Sequence, residues 1–442
     1  MRRTRTPLAA ALLSAAAVAA AAGAGLAQAQ TIDKDRQRGL AMLREVRGLL
    51  ERHYRDPTFG GRSLDERFAA AERAMDAAGS ERETFAVVAR TLDELDDSHT
   101  FFLPPGEGAA DFGWTPRMIG DRCFVVEVKA GSDAARQGLA VGDEILLLEG
   151  ERPERASLWP RLQLLRLVPG LPVAHLSVRG AKGAVRELAL QSQRADERDG
   201  RTLTMREFLD VLSHSRAERE RGLFADAGDV LVWRLAAFDK DGTSIQEGIQ
   251  RARRSRALVL DLRGNSGGDA GALRRLVGAF FGPPGPVVVG WLEARGRLRP
   301  LSAPLWPKDR GFTGPLVVVV DSDSASAAEV FARTVQLKHR GTVVGDRTGG
   351  AVMLSRTHVR MQARENRLLA YAVSITEADV ILPDGSTLEK VGLTPDVTVL
   401  PTADDLRSRA DPALARAVEL AGSALSAADA ARLLAASAPA RD

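Results

Sequence analysis

Three patterns of hydrophobic and polar positions follow one another along the chain. Residues 32–100 repeat apolar side chains at helical spacing, for example at Leu43, Val46 and Leu50, which predicts a small helical domain. Residues 115–195 carry short β-rich runs separated by glycines, which predicts a small β domain. After Val230 apolar strands alternate with helical patterns, which predicts an α/β domain.

The pattern also predicts individual elements of the α/β region. Its strands are expected at residues 230–235, 257–262, 286–292, 316–321, 342–344 and 368–374. Its helices are expected at residues 244–253, 270–281 and 325–337. The charged residues 196–230 predict a helical, solvated connector, and the Ala-rich sequence beyond 402 predicts one or two short helices and a frayed end.

The first 29 residues have the features of a signal peptide. Arg2, Arg3 and Arg5 precede the apolar run 8–25, and small residues at 27–29 suit a cleavage site. The run is short for a membrane-spanning helix, although an uncleaved anchor is the alternative. We therefore expect an exported protein, periplasmic or secreted, with no integral membrane segment after cleavage.

Charge and cysteine content exclude several functions. Without residues 1–29 the Lys+Arg count falls from 61 to 58, which equals the Asp+Glu count of 58. A formally neutral chain gives nucleic-acid binding no support. Cys123 is the only cysteine and lies in the apolar run CFVVEV, which predicts a buried thiol and not a nucleophile. No His-Glu-x-x-His motif occurs, so no metal site is expected.

The β-rich segment resembles a PDZ domain. The resemblance rests on residues 134–146, AARQGLAVGDEIL, in which a short helix and Gly-Leu precede Gly-Asp-x-Ile at the start of a strand. PDZ domains bind an extended peptide at a sheet edge and hold its terminal carboxylate with backbone amides. A β domain used only for packing is the alternative.

The first of three chemical motifs is DSDSASAAE at residues 321–329, directly after the predicted strand 316–321. A strand that turns into a helix places a side chain at the helix N-terminus, where free N–H groups and the dipole stabilise negative charge. Ser326 is therefore a candidate nucleophile. Ser326 and Glu329 also match a capping box, a purely structural device that remains open at this point.

The second motif is LDLRGNSGG at residues 260–268, at the end of another apolar strand. Paired glycines allow close backbone approach and aim amides at a ligand, as an oxyanion requires. A plain strand-to-helix turn is one alternative. Another is an α/β-hydrolase nucleophile elbow, with Ser266 as nucleophile and His339 or His358 as base.

The third motif is LDDSHTFF at residues 95–102, which contains one of only six histidines. A lone histidine is more often structural than catalytic. The polar residues before His99 and the apolar Phe-Phe-Leu after it predict an exposed loop between a helix and a strand.

Together and in this order, the motifs resemble the tail-specific (carboxy-terminal processing) proteases, peptidase family S41, over residues 32–402. GDRTGG at 345–350 and GLTPD at 392–396 complete the resemblance. It implies a ClpP/crotonase-like α/β protease core with an N-terminal helical domain and an inserted PDZ-like β domain. The implied domains cover residues 1–29 (signal peptide), 30–112 (helical), 113–195 (PDZ-like), 196–402 (protease core) and 403–442 (helical tail).

The resemblance also implies an activity. It is that of a serine endopeptidase that needs no cofactor or metal and acts on exported proteins or peptides chosen by their C-terminal tails. Homo-oligomerisation is left open. By position, Ser326 would be the nucleophile, and the N–H groups of Gly268 and Ala327 would form the oxyanion hole.

The chain departs from the best-known members of that family at one position. Ala351 stands where those members carry the lysine of a Ser–Lys dyad, and alanine cannot take a proton. The chain is similar instead to the tricorn-like branch, which implies Ser98 and His99 as the base pair and Glu389 as the acid that orients them, with Asp384 as second candidate. The base would then lie more than 200 residues before the nucleophile. A catalytically inactive peptide-binding or scaffold protein is the alternative.

Overall fold

The computed structural model describes residues 8–105, 110–167, 173–194, 223–240, 242–281, 286–303, 311–364 and 367–435. The first seven residues of the predicted signal peptide lie outside this part, and the backbone is helical from Leu8 onward. Among the described residues we find no helix that combines the length and the apolar character needed to cross a bilayer.

The described helices are numbered in chain order. They are α1 (Leu8–His53), α2 (Leu64–Ala77), α3 (Glu81–Asp93), α4 (Asp133–Arg136), α5 (Arg155–Leu167), α6 (Thr243–Ala252), α7 (Ala270–Phe281), α8 (Ala327–Leu337), α9 (Ala403–Ser408), α10 (Pro412–Leu420) and α11 (Ala427–Ala435).

The described strands are numbered in the same way. They are β1 (Phe101–Leu103), β2 (Ala110–Asp111), β3 (Trp114–Ile119), β4 (Arg122–Val128), β5 (Glu144–Leu148), β6 (Val173–Arg179), β7 (Val185–Gln191), β8 (Gln193–Arg194), β9 (Leu223–Ala227), β10 (Val230–Arg234), β11 (Ala257–Asp261), β12 (Val287–Ala294), β13 (Arg297–Ala303), β14 (Leu316–Val320), β15 (Thr342–Gly345), β16 (Met353–Arg364), β17 (Arg367–Ile381) and β18 (Val397–Thr398).

The central sheet has the strand order β18-β15-β14-β11-β10-β9 and is parallel except at its β9 edge. Strands β11 and β14 are buried along their whole length, as strands covered on both faces must be. Helices α6, α7 and α8 pack on one face, and α10 and α11 pack on the other. Because β11 and β14 are parallel neighbours, the loops after them leave the same edge of the sheet.

A second sheet has the order β1-β17-β12-β13, with β16 also paired to β17. Helices α1, α2 and α3 pack on this sheet through a shared core that includes Val46, Leu92 and Phe102 from the N-terminal segment and Val373 from β17. Strand β1, which follows α3, pairs antiparallel with β17. The N-terminal segment therefore folds back onto an element near the end of the chain.

The segment from β3 to β7 forms a separate antiparallel sheet with its own core, which we call the β module (residues 114–191). Cys123 lies buried within this core. With a helical N-terminal region, an α/β sheet and this β module, the predicted fold class is confirmed.

The predicted connector and tail differ in detail from the expectation. Residues 195–222 of the connector lie outside the described part, and residues 223–227 form strand β9 rather than a helix, because they pair with β10 at the sheet edge. The C-terminal helices α10 and α11 cover a face of the central sheet, while residues 436–442 lie outside the described part.

Candidate active site

Ser326 occupies the N-cap of α8, immediately after the loop that follows β14. Its backbone has φ 55° and ψ −119°, a conformation that a residue with a side chain rarely adopts. Such strain costs on the order of 1–3 kcal/mol and persists where the surroundings impose it, often at functional sites. Ala327 is the first residue of α8, so its N–H has no carbonyl partner within the helix.

The glycine pair after β11 lies directly against this turn. A Cβ on Gly267 would come within 2.6 Å of Ser326 Cβ and 3.0 Å of Ala327 N, and φ at Gly267 is +96°. No other residue fits this position without displacing the Ser326 turn.

Gly268 is held in place by its neighbours. The Phe238 N–H donates to Gly267 O at 2.9 Å, and the Asp269 N–H donates to Phe238 O at 2.7 Å. These two bonds flank Gly268, and its own N–H takes no part in them. The N–H groups of Gly268 and Ala327 therefore belong to two touching loops, as an oxyanion hole requires.

Ser98 and His99 lie in the loop between α3 and β1, where the sequence predicted a loop, but both residues are half-buried and not exposed as expected. Asp97 anchors this loop: its carboxylate accepts hydrogen bonds from the His99 N–H at 3.0 Å, from Thr376 Oγ1 at 2.6 Å and from Tyr54 Oη at 2.9 Å. The anchors lie on β17 and just after α1, so both elements fix the position of the histidine.

The His99 imidazole is kept neutral. Burial lowers its pKa to about 4, and the nearby Asp97 carboxylate offsets only part of that effect. A neutral ring with a free lone pair is the form that a general base needs at neutral pH.

Glu389 completes a hydrogen-bonded chain to the imidazole. Ser98 Oγ lies 2.7 Å from His99 Nδ1 and donates to Glu389 Oε2 at 2.8 Å, while the Ser98 N–H donates to Glu389 Oε1 at 3.0 Å. Because the hydroxyl proton goes to the carboxylate, the Ser98 oxygen accepts the Nδ1 proton of His99 and leaves Nε2 unprotonated. Burial raises the pKa of Glu389, while the hydrogen bonds it accepts from Val352 and Ser98 oppose that rise.

Asp384, the second candidate for the orienting acid, lies elsewhere. Its carboxylate accepts hydrogen bonds from Arg333 at 2.6 Å and from the Ser386 hydroxyl at 2.7 Å. These interactions, led by the Ser386 hydrogen bond, lower its pKa to about 2. The structure therefore places Glu389, and not Asp384, on Ser98.

Two consecutive residues join the hydrogen-bonded series Glu389–Ser98–His99 to the Ser326 turn. The Ser326 N–H donates to Ala351 O at 2.8 Å, and the Val352 N–H donates to Glu389 Oε2 at 2.8 Å. The loops that carry Ser326, Glu389 and Ser98 are thus connected through adjacent backbone groups, although they are far apart in sequence.

The alternative nucleophile Ser266 is exposed and has no comparable assembly. His339 follows the C-terminal end of α8, whereas the glycine loop touches the N-terminal end, about 16 Å away along an 11-residue helix. The His358 ring packs against the His53 ring, with 4.7 Å between centroids. Neither histidine is joined to Ser266.

Glu329 is a member of the site that the sequence presented only as a capping residue. Its fully buried carboxylate accepts hydrogen bonds from the N–H groups of Ser326, Gly350 and Ala351 at 2.9–3.1 Å and from the Thr348 hydroxyl. Burial raises its pKa to about 7, against the effect of these hydrogen bonds. The sequence does contain a signal for this role, because Glu329 is an acidic residue in the otherwise apolar first turn of α8.

The β module also contacts the loop that precedes Ser326, and the sequence did not predict this contact. Arg117 Nε on β3 donates to Asp323 Oδ2 at 2.8 Å, and the Ser322 hydroxyl donates to Met118 O at 2.7 Å. Both contacts lie within five residues of Ser326. Within the described residues, one set of three side chains has metal-ligand spacing, and it consists of His53, His358 and Glu377.

Comparisons with known proteins show which family and which relatives the chain resembles. Residues 229–399 match the profile of peptidase family S41. The chain is 26% identical over 368 residues to the chloroplastic carboxyl-terminal-processing peptidase 2 of Arabidopsis thaliana, a match that covers 78% of this chain and 66% of that protein.

Two solved structures have the same fold. The crystal structure of mature CPAF superposes with a TM-score of 0.61 at 16% identity, covering 84% of this chain and 94% of that one. The photosystem II D1 C-terminal processing protease gives a TM-score of 0.51 at 21% identity, covering 89% of this chain and 99% of that one. Residues 229–399 therefore match peptidase family S41, and the chain is similar over most of its length to carboxyl-terminal processing proteases.

Proposed function

We propose that the chain is a serine endopeptidase in which Ser326 is the nucleophile and His99 its base. His99 Nε2 accepts the Ser326 hydroxyl proton as the oxygen attacks the peptide carbonyl, and the Gly268 and Ala327 N–H groups hold the resulting oxyanion. The imidazolium then returns the proton to the leaving amine. Water, activated by the same imidazole, hydrolyses the acyl-enzyme.

One observation carries this proposal: the hydrogen-bonded chain from Glu389 through Ser98 to His99. In this arrangement a carboxylate orients the imidazole base through a bridging serine hydroxyl, and the base can then activate a nucleophile. Ala351, which removes the lysine of a Ser–Lys dyad, contributes only backbone groups, to Glu329 and to Ser326. A base from another part of the chain is therefore needed, and His99 is neutral and oriented.

The test compares Ser326→Ala, His99→Ala and the control His339→Ala, which changes an exposed histidine. We expect the first two variants to lose casein and peptide hydrolysis by at least about 100-fold while remaining folded by circular dichroism, and the control to retain it. Labelling by a fluorophosphonate probe should be lost in Ser326→Ala. Retained labelling there, with loss in Ser266→Ala, would establish the esterase-type alternative instead.

We further propose that substrates are selected by their C-terminal tails through the β module. The support is the PDZ-like sequence of residues 134–146, which falls on α4 and the start of β5. A peptide with a free terminal carboxylate should be cleaved with a lower KM than its amidated form. If folded wild-type protein binds such tails and never labels with the fluorophosphonate probe, the chain is a peptide-binding protein and not a peptidase.

We also propose that the protein is exported, on the basis of the basic, apolar and small residues of its first 29 positions. N-terminal sequencing of protein recovered from the periplasm or medium should begin at Gln30. An intact N-terminus in the cell membrane fraction would support the anchor instead.

A further inference from the structure

Two histidines and a glutamate from three separate elements meet on the face of the second sheet that α1 covers. His53 is the last residue of α1, His358 lies on β16 and Glu377 lies on β17. One nitrogen of each ring and one carboxylate oxygen all lie within 4.8 Å of one another. His53 Nδ1 is 3.8 Å from Glu377 Oε1.

We propose that these three side chains bind a divalent transition metal ion, with Zn²⁺ as the best fit. Two imidazole nitrogens and one carboxylate oxygen are a common protein ligand set for zinc, with metal–ligand distances of about 2.1 Å. Tetrahedral bonds of that length place ligand atoms roughly 3.4 Å apart, so the present separations close around an ion with small side-chain movements. The remaining coordination position is open to water.

The His358 ring supports this assignment independently. Its Nε2 is buried and has no hydrogen-bond partner within the described residues, which is costly for a polar atom unless something binds it.

The backbone around Glu377 is specialised as well. Leu354 pairs with Ala378 and Ser355 pairs with Thr376, so Glu377 is the extra residue of a β-bulge. Bulges redirect a side chain and are frequent beside functional sites. His53 lies at the C-terminus of a long helix, where the helix dipole favours a cation.

Two arginines lie close to the site. Arg356 Nε is 3.0 Å from Glu377 Oε1, but its side chain is 67% exposed, and an ion pair so exposed contributes little to stability. A bound metal ion takes the place of the Arg356 guanidinium at the Glu377 carboxylate. Arg360 is neutralised by its ion pair with Glu45.

The site connects two anchors of the catalytic loop. Tyr54 and Thr376, which both donate to Asp97, are the sequence neighbours of His53 and Glu377. A bound ion cross-links the end of α1 to β17 directly beside these anchors. The ion therefore stabilises the contact between α1 and β17 that positions the Ser98–His99 loop.

The experiment uses the full chain without an affinity tag, freed of metal by a chelator and titrated with Co²⁺ and Zn²⁺. We expect one Co²⁺ per chain with visible absorption typical of low coordination number, displacement by Zn²⁺, and a higher Tm with either ion. Loss of a residue that only hydrogen-bonds to a metal ligand weakens metal binding 10- to 100-fold. His358→Gln and Glu377→Gln each remove a ligand and should weaken Co²⁺ and Zn²⁺ binding by more than that.

His175→Gln is the matched control. His175 also lies near a glutamate, with Nδ1 3.6 Å from Glu149 Oε2, but no second histidine joins them in the described structure. The affinity of the His175→Gln variant for Co²⁺ and Zn²⁺ should equal that of the wild type. Where His358→Gln fails to fold, His53→Gln, at the half-buried last residue of α1, tests the same site. Absence of saturable binding, or binding unchanged in the folded ligand variants, overturns the proposal.

Discussion

Replacing Ser98 by alanine tests the proposed base without touching the nucleophile or the imidazole. The substitution removes the hydroxyl that lies 2.7 Å from His99 Nδ1 and donates to Glu389 at 2.8 Å. The Asp97 carboxylate still holds the backbone of the loop. We therefore expect the ring to stay in place but to lose its fixed tautomer and its link to the carboxylate.

The size of the effect follows from the bond that is lost. A hydrogen bond to a charged group contributes about 1.5–3 kcal/mol, and each 1.36 kcal/mol corresponds to a tenfold change in rate. Ser98→Ala should thus lower kcat by about 10- to 150-fold. KM should stay nearly unchanged, because Ser98 acts through His99 and not on the substrate.

Steady-state hydrolysis of a peptide with a free C-terminus measures both constants across pH. The acid limb should remain near pH 4 in the variant, since burial and not Ser98 sets the low pKa of His99. Asp384→Asn serves as control, because Asp384 pairs with Arg333 and should leave kcat within about twofold. A folded Ser98→Ala protein with kcat within twofold of wild type would refute the relay.

Three further predictions concern the surroundings of the site. Burial raises the pKa of Glu329 from 4.5 to about 7, so between these pH values the unfolded chain is ionised while the folded chain still holds the proton. The free energy of unfolding of the wild type relative to Glu329→Gln, measured by urea titration, should therefore fall by about 3 kcal/mol between pH 4.5 and 7. Parallel stability–pH curves for the two proteins would contradict this. Gly267→Ala places a Cβ 2.6 Å from Ser326 Cβ, which forces the two loops apart and should lower kcat at least about 100-fold. Full activity of this variant would show that the Gly267 and Ser326 loops do not touch. Arg117→Ala breaks the ion pair with Asp323 and should speed amide hydrogen exchange in residues 321–326, whereas Arg122→Ala, which breaks an ion pair inside the β module, should not.

The elements of the central sheet were predictable because their signals are local. Strands β11 and β14 are continuous apolar runs, and the helix predicted at 270–281 has the observed bounds Ala270–Phe281. The motifs at the ends of these strands are local too, and parallel pairing of the two strands brings the motifs together.

The long hairpin was predicted only in part. Strand β17 was expected at residues 368–374 but covers Arg367–Ile381, and β16 was missed. Strand β16 carries many polar residues and lies at a sheet edge, whereas β17 is buried on both faces from residue 371 to 376 although it includes Ser374 and Thr376. Their pairing, and not their composition, makes them strands.

The identity of the orienting acid could not be derived from the residues alone. Glu389 and Asp384 lie five positions apart in a polar turn, and only the fold decides which one reaches Ser98. The same holds for the group of His53, His358 and Glu377, whose members come from three distant segments. Contacts of this kind depend on tertiary pairing, which a single sequence does not specify.

The hydrogen bonds between Ser98 and Glu389 join residues 291 positions apart. During synthesis the His99 imidazole leaves the ribosome early, the proposed nucleophile Ser326 much later, and the Glu389 carboxylate last of all. A growing chain therefore contains no oriented base until translation has passed residue 389. In the proposed mechanism, peptide-bond cleavage therefore has to await synthesis of nearly the whole chain.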